Sequence, residues 1–155
     1  PNFVCIVPEK RSEITTEGGL NLRRKNSLLK LIINKLKSKN IRVSLFIEPK
    51  IADVIQSKIL GADCIELHTG KFCNLVNKNK KTTKEFLAIK KSALYADILG
   101  LKIHAGHGLT FKSAKIISKI INISELNIGH FIISESIFFG LKDTIYKFKK
   151  IVNKR

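Results

Sequence analysis

Three short stretches hold most of the residues that could do chemistry. "IHAGHGLT" (103–110) sets His104 and His107 among Gly106 and Gly108, "CIELHTG" (64–70) carries Glu66 and His68, and "NIGHF" (127–131) puts Gly129 directly before His130. Imidazoles gain and lose a proton near neutrality, so they suit acid-base work or metal ligation. Glycines ahead of helices let backbone N–H groups close on an anion. A metal would have to use His104 and His107 with His68 and His130. The H-x-x-H spacing, however, spans a strand end and a turn, and no carboxylate accompanies it at a zinc-binding spacing, so no metal is expected. His107, flanked by glycines, is expected to be an exposed acid-base group, and Gly108, Gly129 and His130 to form a phosphate cradle; simple tight turns are the alternative. In "CIELH" Cys64, Glu66 and His68 point one way and Ile65 and Leu67 the other. An inward carboxylate is costly unless it is paired or functional. Glu66 therefore reads as the partner of a buried lysine, as a stabiliser of a cationic intermediate or as a proton-transfer group.

These stretches need elements to position them. Five β-rich runs, 3–7, 41–47, 64–68, 101–105 and 125–129, alternate with helical patterns. Leu28, Leu29, Ile32, Ile33 and Leu36 recur at spacings of three and four, which predicts an amphipathic helix. Pro49 and Gly61 bracket a second helix, Thr82 or Thr83 and Gly100 a third, and "FKSAKIISKII" and "LKDTIYKFKKIVNKR" supply two more; "FIISESIFFG" can form a short one. The run 76–84 reads as a solvated loop. A repeated β-α order calls for a parallel sheet covered by helices. In such an array the C-terminal strand ends share one edge, where loops distant in sequence can converge on one site.

Bulk properties narrow the function classes. The 155 residues suffice for one domain. No apolar run approaches the roughly 18 residues of a membrane span, and the opening lacks a secretory leader, so a cytoplasmic protein is expected. Cys5, Cys64 and Cys73 are odd in number and form no C-x-x-C pair; Cys5 and Cys64 read as small core residues. The formal charge of +17 invites a nucleic-acid partner. Yet only Arg11, Arg23, Arg24, Arg42 and Arg155 are arginine, and the lysines spread along helix faces without interleaved aromatics, so no nucleic acid is expected.

The stretches "VPEKRSEITTEGGL", "SLFIE", "IELHTG", "LGLKIHAGHGLT" and "ELNIGHFII", in this order and spacing, resemble the pyridoxine 5'-phosphate synthase family. The resemblance implies an α/β (β/α)8 TIM barrel, of which this chain supplies about five C-terminal βα units. It implies condensation of 3-amino-2-oxopropyl phosphate with 1-deoxy-D-xylulose 5-phosphate to pyridoxine 5'-phosphate, phosphate and water, without a cofactor, in a homo-octamer. Carried over by motif, His107 resembles the family's proton donor and Glu66 its transition-state stabiliser. Gly108, Gly129 and His130 resemble its contacts to the amino-ketone phosphate, and Thr15 a contact to the deoxyxylulose phosphate. Two positions depart: His104 stands where asparagine is usual, and Ser134, Glu135 and Ser136 replace a usual glycine-arginine pair.

A chain that starts without methionine and directly on a strand is expected to be a piece of something longer, 1–155 being one partial barrel domain without its three N-terminal units. The resemblance places the family's two proton acceptors in those units. The 155 residues alone are therefore expected to be inactive, with two open sheet edges. Another phosphate-binding barrel enzyme, a metal hydrolase and a basic nucleic-acid-binding module are the competing readings.

Overall fold

The computed structural model describes residues 1–8, 18–23 and 26–153. Thr15, and with it most of the "PEKRSEITTEGG" loop, lies outside the described residues. Five strands, β1 (Phe3–Ile6), β2 (Arg42–Ile47), β3 (Cys64–His68), β4 (Lys102–Gly106) and β5 (Glu125–Asn127), form one sheet in chain order, every pair parallel. The sheet curls into half of a TIM barrel. The helices α1 (Ser27–Lys37), α2 (Ile51–Leu60), α3 (Gly70–Asn77), α4 (Thr83–Ile98), α5 (Phe111–Ile117), α6 (His130–Phe139) and α7 (Leu141–Val152) follow the strands.

Register divides each strand into two chemical faces. Val43, Leu45 and Ile47 align with Ile65 and Leu67, and these with Ile103 and Ala105; all seven are buried. They form the core with Val54, Phe72, Ile89 and Ile117 from the helices. The other face runs through Cys5 and Ser44, then Phe46, Glu66 and His104, then His68, Gly106 and, on β5, Asn127. A parallel strand inside an α/β protein is usually apolar on both faces. Here one face is polar, and that face is the concave one.

Local signals set most boundaries. Gly61 ends α2 in the left-handed conformation at φ 90°. At the start of α5, Thr110 accepts the N–H of Ser113 while the Ser113 hydroxyl accepts the N–H of Thr110, a reciprocal capping box. Asp63 accepts the Val43 N–H at 3.0 Å and the Lys37 ammonium at 2.7 Å, tying β2 to the α2–β3 turn.

Three readings of the sequence are corrected. The solvated loop expected at 76–84 is present but shorter, 78–82, because α3, a helix not foreseen, runs to Asn77 with Phe72, Cys73 and Val76 buried, and α4 begins at Thr83. The fifth strand ends at Asn127, because Ile128 and Gly129 turn into α6. The predicted stripe of α1 is only partly inward: Ile33 is buried, while Leu28 and Ile32 are exposed. Among the described residues α1 packs chiefly on β2 and α2.

Candidate active site

A cavity of about 550 Å³ opens at the C-terminal ends of the strands, lined among others by Glu66, His107, Gly108, Asn127, Gly129 and His130. Loops after β4 and β5 and the inner face of β3 thus meet at one rim. Five of the six site residues expected from the sequence line this one space, and Thr15 is the sixth, outside the described residues.

Glu66 sits on the concave face with its side chain buried. Its Oε2 accepts the Asn127 amide at 2.6 Å and the Cys5 thiol at 3.6 Å. No lysine pairs with it among the described residues, so the buried lysine partner is replaced by two neutral donors. Burial raises its pKa above the ordinary carboxylate range, with the hydrogen bonds from Asn127 and Cys5 acting in the opposite direction. Cys5 is accordingly more than filler. Burial, and then the Glu66 charge, push its thiol up to about 12, so it donates rather than ionises. Room for the carboxylate comes from Gly106, where a Cβ would collide with Glu66 Oε1.

His107 follows with φ 77°, in the left-handed region that bulky side chains seldom adopt, and Gly108 continues there at φ 74°. Thr69 holds this turn. Its N–H donates to the Gly106 carbonyl at 2.8 Å, and its hydroxyl lies 2.7 Å from both the Gly106 and His107 carbonyls. The expectation of an exposed imidazole is corrected: His107 is half-buried, and burial, then the neighbouring imidazoles of His68 and His130, lower its pKa below the ordinary histidine value, which favours the neutral ring.

The two helix starts at the rim differ. The α5 start is closed by its own capping box, whereas α6, with Gly129 at its cap, has no capping side chain and no acidic residue in its first turn. Open N–H groups at a helix start attract an anion. Space above Gly129 is free, since a Cβ there would meet nothing within 4 Å. The Ser134 hydroxyl, within the departing "SES" stretch, donates back to the His130 carbonyl at 2.7 Å and also borders the cavity.

The remaining imidazoles on the strands differ in their surroundings. His104 is buried beside Glu66 in the register of β3 and β4, packed on the Phe3 ring at 5.8 Å, with Nε2 3.9 Å from Glu125. His68 packs against His107 in a tilted arrangement, 4.7 Å between centroids, and faces Glu48. Among the described residues no three His, Cys, Asp or Glu side chains gather as a metal set. Nor, among them, is any helix long and apolar enough to cross a membrane.

Glu48 was not singled out in the sequence. Its Oε1 lies 3.1 Å from His68 Nδ1 and accepts the Gly19 N–H at 3.0 Å, and these bonds, His68 foremost, lower its pKa to about 2. A depressed carboxyl pKa stabilises the fold above the unfolded value of 4.5, and this is lost as pH falls from there toward about 2. Denaturant midpoints across that window are expected to decline less steeply in Glu48→Gln than in the natural chain.

A profile of the family described as pyridoxal phosphate biosynthesis protein PdxJ matches residues 1–154. The chain belongs to the PdxJ family. It is 54% identical over 154 residues to the pyridoxine 5'-phosphate synthase of Pelagibacter ubique (strain HTCC1062), covering 99% of this chain and 64% of that protein. Enzymes of the same description from Ehrlichia chaffeensis (strain ATCC CRL-10679 / Arkansas) and Sulfurihydrogenibium sp. (strain YO3AOP1) are 48% and 49% identical, each over 98% of this chain and 62% of the relative. The chain therefore spans a little under two thirds of the length of these PdxJ relatives.

Proposed function

We propose that this chain forms the larger part of a pyridoxine 5'-phosphate synthase, which joins 3-amino-2-oxopropyl phosphate to 1-deoxy-D-xylulose 5-phosphate and releases phosphate and water. The observation that carries this reading is the convergence of Glu66, His107 and the uncapped α6 start on one cavity, in a family whose relatives bear that name. The open N–H groups beside Gly129 grip one phosphate, with Gly108 and His130 along its flank. Amine-carbonyl condensation passes through a cationic iminium, and the buried Glu66 carboxylate offsets that charge where the dielectric is low. His107 delivers protons to departing oxygens. A bound phosphate dianion supplies the negative charge that restores the proton which burial, His68 and His130 oppose. Thr15 contacts the deoxyxylulose phosphate in this scheme.

The additional length of the relatives supplies three further βα units that close the barrel, and with them the proton acceptors. The 155 residues alone then give no turnover. The closed barrel works in the cytoplasm as a homo-octamer. The deciding experiment incubates the intact protein with both phosphates. Pyridoxine 5'-phosphate and inorganic phosphate should appear only when both substrates are present. Consumption of either one alone identifies a different phosphate-binding barrel enzyme and overturns the reading.

A further inference from the structure

Behind the cavity, Glu48, His68 and His107 stand in line. Glu48 lies 3.1 Å from His68 Nδ1 and is anchored by the Gly19 N–H. A carboxylate held this acidic is an anion at neutral pH and can only accept, so the proton on the facing ring belongs on Nδ1. The opposite nitrogen, Nε2, of a neutral ring is then a bare acceptor. It is buried, with no hydrogen-bond partner among the described residues. Leaving a buried polar atom unpaired costs about 1–3 kcal/mol, so such an atom calls for an explanation.

Its surroundings supply one. The His68 ring is fixed on one side by the edge of Phe46, 5.2 Å between centroids, and packs on the His107 ring at 4.7 Å. Between the two imidazoles lies Gly70, the first residue of α3. A Cβ there would come within 2.7 Å of His107 Cδ2 and 2.8 Å of His68 Nε2. The absent side chain at Gly70 thus leaves one small space that the unpaired nitrogen and the His107 ring share. A glycine at a helix start with ordinary backbone angles is not needed for conformation, and its use is this clearance.

We propose that Glu48 and His68 form a positioning pair for His107: the carboxylate fixes the tautomer and direction of His68, and the His68 ring sets the orientation of His107 and how firmly it holds its proton. This deepens the reading of His107 as proton donor and rests on it. The titratable groups beside His107 are His68 from β3 and His130 from the start of α6, with Glu66 on the wall of the same cavity. Among these His68 is in ring-to-ring contact, and through Glu48 it reaches a fixed negative charge. Replacing the ring by an amide removes that contact and the link to Glu48, so the midpoint of His107 must move.

The test follows imidazole resonances of the intact protein by NMR across pH, without substrates, together with turnover. In the natural protein ¹⁵N shifts should place the His68 proton on Nδ1. In His68→Gln, whose amide still donates to Glu48, the His107 midpoint should move by about one pH unit. In turnover, kcat should fall at least about tenfold, part of the 10²–10⁴-fold available to acid-base groups, with KM for both phosphates within about twofold. The pH profile of kcat should move the same way as the NMR midpoint. An unmoved His107 midpoint, or His68 protonated on Nε2 in the natural protein, overturns the proposal. Should His68→Gln not fold, Glu48→Gln replaces it. There the Nδ1 preference of His68 must disappear, and its persistence is equally fatal. Because the NMR arm uses no substrate, failure of joint turnover sinks the functional reading alone, whereas turnover with an unmoved midpoint sinks only this one.

Discussion

In the intact synthase proposed above, replacing His107 with asparagine is expected to lower turnover by about 10²–10⁴-fold, the range a positioned acid-base group supplies, and to leave the fold in place. Asparagine is the informative substitution because the residue sits at φ 77°, where asparagine is tolerated better than most side chains. Its carbonyl remains available to the Thr69 hydroxyl, so the turn keeps its anchor. The pH behaviour separates loss of a proton donor from general damage. With substrate bound, turnover in the natural enzyme falls as pH rises past the His107 pKa, and that limb is missing in His107→Asn. Stability responds in the opposite sense in the free protein. The folded pKa lies below the unfolded value of 6.5, so the unfolded chain takes up the proton first, and the stabilisation present above 6.5 is lost as pH falls through the folded pKa. Denaturant midpoints measured on both sides of 6.5 should show a smaller drop in His107→Asn. An unchanged turnover in that variant would remove His107 from the chemistry.

Gly106→Ala is expected to cost about 1–3 kcal/mol as an overpacked core position and to lower turnover about 10²-fold by evicting the carboxylate. Gly106 lies on β4 between His68 and Asn127, and a Cβ built there overlaps Glu66 Oε1 and stands 3.1 Å from Asn127 Cβ. No positive φ is involved, so alanine brings no backbone strain, and the effect is crowding of Asn127 and displacement of Glu66 from its amide. Denaturant unfolding reads the stability cost and steady-state kinetics the activity. Full turnover in a folded Gly106→Ala protein would show that Glu66 does not stabilise the reacting charge.

Much of this arrangement was legible because it follows local rules. The four longer strands and their parallel order followed from runs such as "IRVSLFI" and "CIELH" alternating with helical spacing. The inward aim of Glu66 followed from period-two alternation within one strand. The helix α3 was missed because its apolar residues Phe72, Cys73 and Val76 merge into the lysine- and asparagine-rich run after it, and Gly70 at its head reads as a turn. Their one- and four-residue spacing was the available signal. Contacts between distant residues were beyond reach: Glu48 follows β2 by one residue and gave no sign of meeting His68. Nor could spacing show that Cys5 would donate to Glu66 or that Thr69 would hold two carbonyls of the β4 turn. The half-burial of His107 is likewise tertiary, arising when α3 and the β4 turn close around the imidazole.

In this sheet every strand lies beside the one made just before it, with no later segment inserted between existing neighbours. Each β-α step can consequently dock on a completed edge as it leaves the ribosome, without waiting for distant sequence to arrive. Such stepwise accretion keeps contacts near in sequence, and chains with that property fold faster than those dominated by remote pairings.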